Sequence, residues 1–183
     1  MKNSSWWLLA VFLLLTACED AEDIYSRRSV SFSFAPSTKV PMLHSALNSL
    51  GEFVTIRVGV SGAELLFSAY GRDDFPCAMT EIDRRTTRIG LSGFIVGTPT
   101  MPELGQSMSR PVCYELTCIN CYMSDHITRD VKLEAMGRAA CPRCGRVYDL
   151  NNYGIIVSDT TGVKLDRYHI SYSGGVTNSV NIY

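Results

Sequence analysis

Two short cysteine motifs constrain this chain more than any other feature of its sequence. Cys118-x-x-Cys121 and Cys141-x-x-Cys144 are separated by 19 residues. Two residues between a pair of thiolates allow one tight turn to direct both sulfurs to a point, and two such turns complete a tetrahedral cage. The spacing therefore predicts a single metal ion bound by these four cysteines. The alternatives are two local disulfides or one disulfide between the loops.

The two cysteine loops differ in the residues that help a tight turn. In Cys141-Pro142-Arg143-Cys144-Gly145, the proline presets φ, and the glycine can adopt positive φ just after the second ligand. The first loop, Cys118-Ile119-Asn120-Cys121, has neither residue. Thiol–disulfide exchange needs a low-pKa thiolate, usually at a helix N-terminus, and neither pair is predicted to precede a helix. We therefore disfavour that chemistry.

The N-terminus carries the pattern of an export signal. After Lys2, an apolar run extends from Trp6 to Ala17. It is too short to span a bilayer as a helix, which takes about 20 residues, and it is typical of a secretory signal. Cys18 follows Leu15-Thr16-Ala17, which resembles the lipobox of bacterial lipoproteins. That resemblance implies cleavage before Cys18 and lipid attachment to it.

The residues after Cys18 are acidic. Glu19-Asp20-Ala21-Glu22-Asp23 is either a solvated tether or, by resemblance, the acidic export signal of Bacteroidetes lipoproteins. We expect a lipid-anchored protein of the cell envelope in the outer membrane, with the cell surface as the further alternative. Residues 1–5 contain no twin arginine, so the expected route is one that exports unfolded chains.

Composition narrows the fold and the partners. The chain of 183 residues is 46% hydrophobic and 19% charged, which excludes disordered, collagen-like and coiled-coil proteins. A formal net charge of -1 gives no basic surface for nucleic acid. We expect an all-β domain, mostly antiparallel, with one short helix over 41–50. The predicted strands cover 30–34, 53–60, 63–70, 89–96, 111–117, 155–157, 167–172 and 176–182, with loops at 71–87 and 98–110.

The remaining polar and cysteine residues suggest no catalytic group. Cys77 and Cys113 are left as a disulfide candidate. His126, five residues after Cys121, is an alternative ligand or a neighbour of one, although a surface position is the simpler reading. Arg143 and Tyr148 are candidates to contact the metal loops, although a plain packing role is the simpler interpretation of both. Two histidines and four carboxylates are interpreted as structural or solvated: His44, His169, Glu103, Glu115, Glu134 and Asp149.

The chain after the second cysteine pair resembles a known family. From Cys141 it contains Cys-Pro-Arg-Cys-Gly, then Tyr148-Asp149-Leu150, Gly154 and Leu165-x-x-Tyr168. This order is similar to the second cluster-binding box of Rieske proteins and the strands after it, and the resemblance extends over residues 88–183. More loosely, the whole mature chain resembles the Rieske-like lipoproteins of Bacteroidetes.

The resemblance implies a domain organisation. Residues 1–17 are then the signal peptide and 18–28 a lipidated tether. Residues 29–183 form a Rieske-like β-sandwich or barrel, with a zinc-ribbon-like metal-binding subdomain over about 113–158.

Two departures from the family change the cofactor that is expected. Cys144 stands where the second box of the family has histidine, and Asn120 stands at the histidine position of the first box. Both histidines of a Rieske centre are missing, so that cluster is not expected. We favour structural zinc in a binding or structural module, because zinc can bind after export of an unfolded chain. The alternative is an electron-transfer protein with an all-cysteine 2Fe-2S cluster, and the minor alternative is a disulfide-stapled domain without metal.

Overall fold

The structure is a computed structural model that describes residues 24–158 and 161–183. The predicted signal peptide, Cys18 and the acidic run lie outside these residues. The described part contains three α-helices: α1 (Pro41–Asn48), α2 (Glu81–Thr86) and α3 (Ile119–Asp125). Short 3-10 turns occur at Ser37–Lys39 and Ala135–Gly137. No helix within the described ranges has the length and apolar character needed to cross a membrane.

Three antiparallel sheets contain all the named strands of the described residues. The strands are β1 (Phe32–Phe34), β2 (Phe53–Val58), β3 (Glu64–Ala69), β4 (Phe75–Ala78), β5 (Phe94–Gly97), β6 (Val112–Glu115), β7 (Lys132–Glu134), β8 (Arg138–Ala140), β9 (Val147–Asp149), β10 (Ile155–Ile156), β11 (Arg167–Tyr168), β12 (Ile170–Ser173) and β13 (Ser179–Ile182). The sheets have the orders β11-β6-β5-β2-β3-β4, β10-β9-β8-β7 and β1-β13-β12. The prediction of a mostly antiparallel β protein is confirmed.

The six-stranded sheet is covered on both faces at its centre. In β5, Phe94 and Val96 face a main core shared with α1, whereas Ile95 between them faces a second core. The same alternation in β6 directs Cys113 to the main core and Tyr114 to the second. Central strands buried on both faces are continuously apolar, which is the pattern of β5.

The second core joins the sheet to a small lobe formed by α3 and β7–β10, residues 118–158, which we call the cysteine lobe. Tyr148 and Leu150 of β9 and its turn pack against Ile95 and Tyr114. The hydroxyl of Tyr114 donates a hydrogen bond of 3.1 Å to the backbone oxygen of Leu150. The lobe is thereby fixed on the central strands of the large sheet.

The predicted helix over 41–50 forms, but it ends earlier. Pro41 begins α1, where a missing N–H costs nothing, and Leu43 and Leu47 are buried. The backbone of Ser49 is already extended, with φ -115° and ψ 132°. Leu50, the last residue of the predicted helix, therefore lies outside α1 and is exposed.

The expectation of a loop over 71–87 is wrong, because β4 and α2 both lie in this range. β4 pairs antiparallel with β3. Thr80 accepts a hydrogen bond from the backbone of Asp83, whose carboxylate accepts one from the backbone of Thr80. This capping box stabilises a short helix whose single apolar residue, Ile82, is exposed, so no apolar face signals it in the sequence.

Two predicted strands have different boundaries in the structure. The strand expected from 89 begins only at Phe94, because Gly90 and Gly93 adopt positive φ of 73° and 153°. The strand expected over 167–172 divides at His169, so that β11 pairs with β6 while β12 pairs with β13. The predicted hairpin between the last two strands is present.

Candidate metal centre

The four sulfurs of the two cysteine motifs converge at one tip of the cysteine lobe. Their Sγ atoms all lie within 4.8 Å of one another. Cys118 Sγ is 3.7 Å from Cys144 Sγ, and Cys121 Sγ is 3.7 Å from Cys141 Sγ. Cys118, Cys121 and Cys141 are buried, and Cys144 is partly exposed. The predicted ligand set is therefore assembled in a position where it can bind a metal ion.

The second loop has the tight-turn geometry expected from its sequence. Gly145 has φ 72°, and its N–H donates to the backbone oxygen of Cys141 at 3.0 Å. The N–H of Cys141 donates in turn to the backbone oxygen of Arg146 at 2.9 Å. These bonds close the turn between β8 and β9 and hold the two thiols on the same side.

The first loop reaches the same result by a different local structure. Cys118 is the residue that caps α3, and Cys121 lies in the first turn of that helix. The backbone oxygen of Cys118 accepts from the N–H of Tyr122 at 3.0 Å. The expectation that neither cysteine pair precedes a helix is therefore wrong for the first pair, which lies at the start of α3. The first turn of this helix brings the two thiols together without the proline and glycine of the second loop.

The thiols of the cluster lie in two kinds of environment. Burial raises the pKa of the Cys118 and Cys121 thiols, whereas a nucleophilic thiolate needs a lowered pKa. Burial also acts to raise the pKa of Cys144. Hydrogen bonds from the backbone and guanidinium of Arg146 outweigh that effect, and neighbouring thiols add to them, lowering the pKa to about 6.

Arg146 is the functional neighbour that the sequence reasoning missed. Its guanidinium interacts with Cys144, which raises the pKa of Arg146. Its Nε and Nη2 atoms also donate to the backbone oxygen of Thr161 at 2.9 and 2.8 Å. Arg143, which was the candidate, is exposed on the outside of the turn. The available signal was alternation in β9: Arg146 and Tyr148 are two residues apart and share a side.

Tyr148 contacts the metal loops, as one of the two alternatives for it suggested. Its hydroxyl lies 3.1 Å from Cys118 Sγ. Asn120 Nδ2 donates to the same hydroxyl at 3.0 Å, which leaves the phenolic proton for the sulfur. Tyr148 thus donates to the sulfur of one of the four clustered cysteines.

Asn120 does not belong to the sulfur cluster, although it stands at a histidine position of the Rieske pattern. Its Oδ1 accepts from the N–H of Val163 at 2.9 Å, and its Nδ2 donates to the oxygen of Val163 at 2.7 Å. Together with the contact from Arg146 to Thr161, these bonds fix residues 161–163 beside the first cysteine loop.

None of the chain's three histidines is part of the cluster. His126 is exposed and ends α3 with φ 55°. His44 is within hydrogen-bond distance of Ser37 Oγ at 3.3 Å. His169 stacks on Tyr25, with ring centroids 3.7 Å apart. The site is therefore all-cysteine.

The disulfide considered for Cys77 and Cys113 is not formed, and both residues are free thiols. Cys77 lies in β4 and Cys113 in β6. Strands β5, β2 and β3 separate these two strands in the sheet, and a disulfide requires Cα atoms within about 7 Å.

The interpretation of Glu115 as a solvated surface charge is wrong, because its side chain is fully buried. Its Oε2 accepts from Tyr168 Oη at 2.7 Å and from the N–H of Leu91 at 2.9 Å. Its Oε1 accepts from the N–H groups of Ser92 and Thr117 at 3.3 and 3.1 Å. A buried carboxylate with four donors positions the turn before β5 and the end of β6 that leads to Cys118.

The other three carboxylates singled out in the sequence are exposed to solvent, bonded within a turn or paired with an arginine. Glu134 is exposed. Asp149 accepts from the N–H of Asn151 at 3.0 Å, a hydrogen bond within the turn. Glu103 forms an ion pair of 2.6 Å with the buried guanidinium of Arg167.

No protein-family model, curated protein or solved structure matches this chain. The functional argument therefore depends on the geometry of its own residues.

Proposed function

We propose that this protein is a membrane-anchored bacterial lipoprotein whose β domain binds structural zinc through Cys118, Cys121, Cys141 and Cys144. In this proposal the domain serves as a binding or structural module of the cell envelope. The observation that carries the proposal is that all four Sγ atoms lie within 4.8 Å of one another.

The sulfur positions fit one tetrahedral ion. A zinc–sulfur bond of about 2.3 Å places the sulfurs of a tetrahedral site about 3.8 Å apart. Two of the separations in the structure, from Cys118 to Cys144 and from Cys121 to Cys141, are 3.7 Å. Four thiolates complete the coordination of zinc and leave no position for substrate, which is typical of structural rather than catalytic zinc.

The surroundings of the sulfurs also suit a bound ion. Four thiolates exceed the charge of one divalent cation by two, so donors to the sulfurs stabilise the loaded site. Arg146 provides a positive charge at Cys144, and Tyr148 provides a hydroxyl at Cys118. Burial of three of the four ligands limits access of water and oxidants to the site.

The second candidate is an electron-transfer protein with an all-cysteine 2Fe-2S cluster. The hydrogen bond from Tyr148 to Cys118 favours it, because donors to sulfur tune the potential of such clusters. The close spacing of the four sulfurs opposes this candidate, because the two irons of a 2Fe-2S cluster hold their pairs of thiolates farther apart than a single ion does. A disulfide-stapled site is disfavoured by the 3.7 Å separations, since a disulfide bond is about 2.05 Å long.

The membrane anchor and the family relationship are supported by the sequence. The apolar run before Cys18 and the residues Leu15-Thr16-Ala17 support lipid attachment at Cys18 and residence in the outer membrane, with the cell surface as alternative. A Rieske-like origin for residues 29–183 is supported by the order of sequence motifs. Within the described residues, the antiparallel sheets and a two-loop sulfur site at the tip of a small lobe agree with it.

Elemental analysis with a visible spectrum tests the proposal on protein purified without oxygen or added metal. The expected result is about one zinc per chain and a colourless sample. Iron with sulfide and a brown spectrum would replace zinc with the electron-transfer candidate. A metal-free protein with oxidised thiols would reject both metals.

A further inference from the structure

Five large apolar side chains project into solvent from three turns of the described structure. Leu50, Met101, Leu104, Met108 and Met136 are exposed by 62%, 71%, 94%, 66% and 76% of their surfaces. Single exposed apolar residues are ordinary on a soluble protein, whereas a group at one place marks an interaction surface. We call these five residues the apolar end.

Hydrogen bonds between the turns place Leu50, Met101 and Met136 at one end of the molecule, and Leu104 and Met108 belong to the same turn as Met101. The N–H of Gly51, next to Leu50, donates to the oxygen of Thr98 at 2.7 Å. The N–H of Thr100, next to Met101, donates to Asn151 Oδ1 at 3.0 Å. Asn151 Nδ2 donates in turn to the oxygen of Met136 at 3.1 Å. The three turns are therefore linked side by side.

The described chain begins at the same end. Glu103, within the turn that carries Met101 and Leu104, pairs with Arg167 at 2.6 Å. The guanidinium of Arg167 lies over the ring of Tyr25, 5.3 Å from its centroid. Ile24, the residue before Tyr25, is itself exposed.

The metal centre lies at the opposite end of the central strands. Val112 of β6 pairs with Gly97 of β5, immediately before the turn that carries Met101. Glu115, at the other end of β6, pairs with Phe94 and leads through Leu116 and Thr117 to Cys118. The apolar end and the cysteine cluster thus occupy opposite ends of β6.

We propose that the apolar end inserts into the headgroup region of the lipid bilayer and directs the metal centre away from the membrane. The inference rests on the lipid anchor of the proposed function. Five residues lie between Cys18 and Ile24, and an extended chain over those six Cα–Cα steps reaches about 20 Å at most. The surface around Ile24 is therefore the part of the domain that the anchor holds nearest to lipid. Exposed leucine and methionine side chains there gain by burial at the headgroup–acyl boundary.

Tryptophan fluorescence of the lipidated full-length protein in vesicles tests the proposal. The chain has two tryptophans, Trp6 and Trp7, and both lie in the segment removed before Cys18. The variant Leu104→Trp therefore carries one indole, at the most exposed residue of the apolar end. The matched control is Val60→Trp, because Val60 is fully exposed beyond the opposite end of β2.

The vesicles are zwitterionic phosphatidylcholine with and without brominated acyl chains. The expected result is a blue-shifted emission that brominated lipid quenches for L104W, with neither effect for V60W. An unshifted, unquenched L104W spectrum in protein that floats with the vesicles would overturn the insertion and leave the anchor intact. Failure of the protein to float would overturn both. A blue shift of L104W in detergent-free protein without vesicles would assign the surface to self-association and overturn lipid insertion.

Discussion

The phenolic hydroxyl of Tyr148 lies 3.1 Å from the sulfur of Cys118, although 30 residues separate them in the chain. Asn120 fixes the direction of this bond by donating to the same hydroxyl. One strand of the cysteine lobe therefore controls a ligand from the other cysteine loop. This coupling means that the tertiary structure of the lobe assembles the site, and that a metal ion bound there would in turn stabilise that structure.

Replacing a ligand should lower the stability of the domain by about the free energy of metal binding. For Cys141→Ser or Cys144→Ser we expect a loss on the order of 10 kcal/mol, because the binding free energy of structural zinc is also folding free energy. Circular dichroism melting of the zinc-loaded proteins measures it. Cys77→Ser is the matched control, since Cys77 is a free thiol outside the cluster. A ligand variant that keeps the melting temperature of the control would contradict a structural metal.

Removing the Tyr148 hydroxyl should weaken the site without abolishing it. Tyr148→Phe deletes the donor to Cys118 and leaves the Asn120 amide with one partner fewer. We expect a loss of about 1–3 kcal/mol in stability, the usual range for a bond to a charged group, and faster metal transfer to a chelator. Tyr70→Phe, at an exposed tyrosine, is the control. Equal transfer rates for both variants would show that the hydroxyl does not act on the metal site.

Metal removal should make Cys144 the first cysteine to react. Its pKa is lowered to about 6 from an ordinary value of 9.0, whereas burial raises that of Cys118 and Cys121. At neutral pH, iodoacetamide should therefore label Cys144 first in the freshly chelated protein, as peptide mass spectrometry can show. The rate should rise with pH through about 6 and then level off. Zinc should protect all four thiols, and uniform labelling of the four would refute the assignment.

The lowered pKa of Cys144 also predicts the direction in which the stability of the metal-free protein changes with pH. The folded thiol releases its proton at lower pH than the unfolded one, so the contribution of Cys144 is complete above about 9. It declines as the pH falls and is lost once the pH passes through about 6. Urea midpoints of the metal-free protein between these two values should therefore fall with decreasing pH, and the slope should be smaller in Cys144→Ser.

Neutralising the buried carboxylate of Glu115 should destabilise the domain. Each oxygen of Glu115 accepts two hydrogen bonds, and Glu115→Gln turns an amide NH₂ toward two of the four donors. We expect a loss of about 3 kcal/mol, measured by urea denaturation. Glu134→Gln, at an exposed carboxylate, should change stability by less than about 0.5 kcal/mol. Similar midpoints for the two variants would mean that Glu115 is not essential to the fold.

Local chemistry determined much of this protein from sequence alone. The spacing of the four cysteines identified the complete cluster, because two-residue turns bring paired sulfurs together wherever such turns occur. Pro142 and Gly145 predicted the tight second loop, because proline presets φ in the turn and glycine can adopt positive φ after the second cysteine. Alternation of apolar residues at Val54, Ile56 and Val58 predicted β2, since side chains in a strand repeat every two residues.

Only the tertiary structure decided which faces are covered and which polar groups meet. Glu115 resembles a surface charge in sequence, but the pairing of β6 with its neighbours and the covering of both faces bury it among four donors. Arg146 rather than Arg143 reaches Cys144, because a turn of the chain determines which side of the loop each residue faces. The break at His169, where the chain changes sheets, has no local signal. These features arise from contacts between distant segments, and a sequence pattern records only the preferences of neighbouring residues.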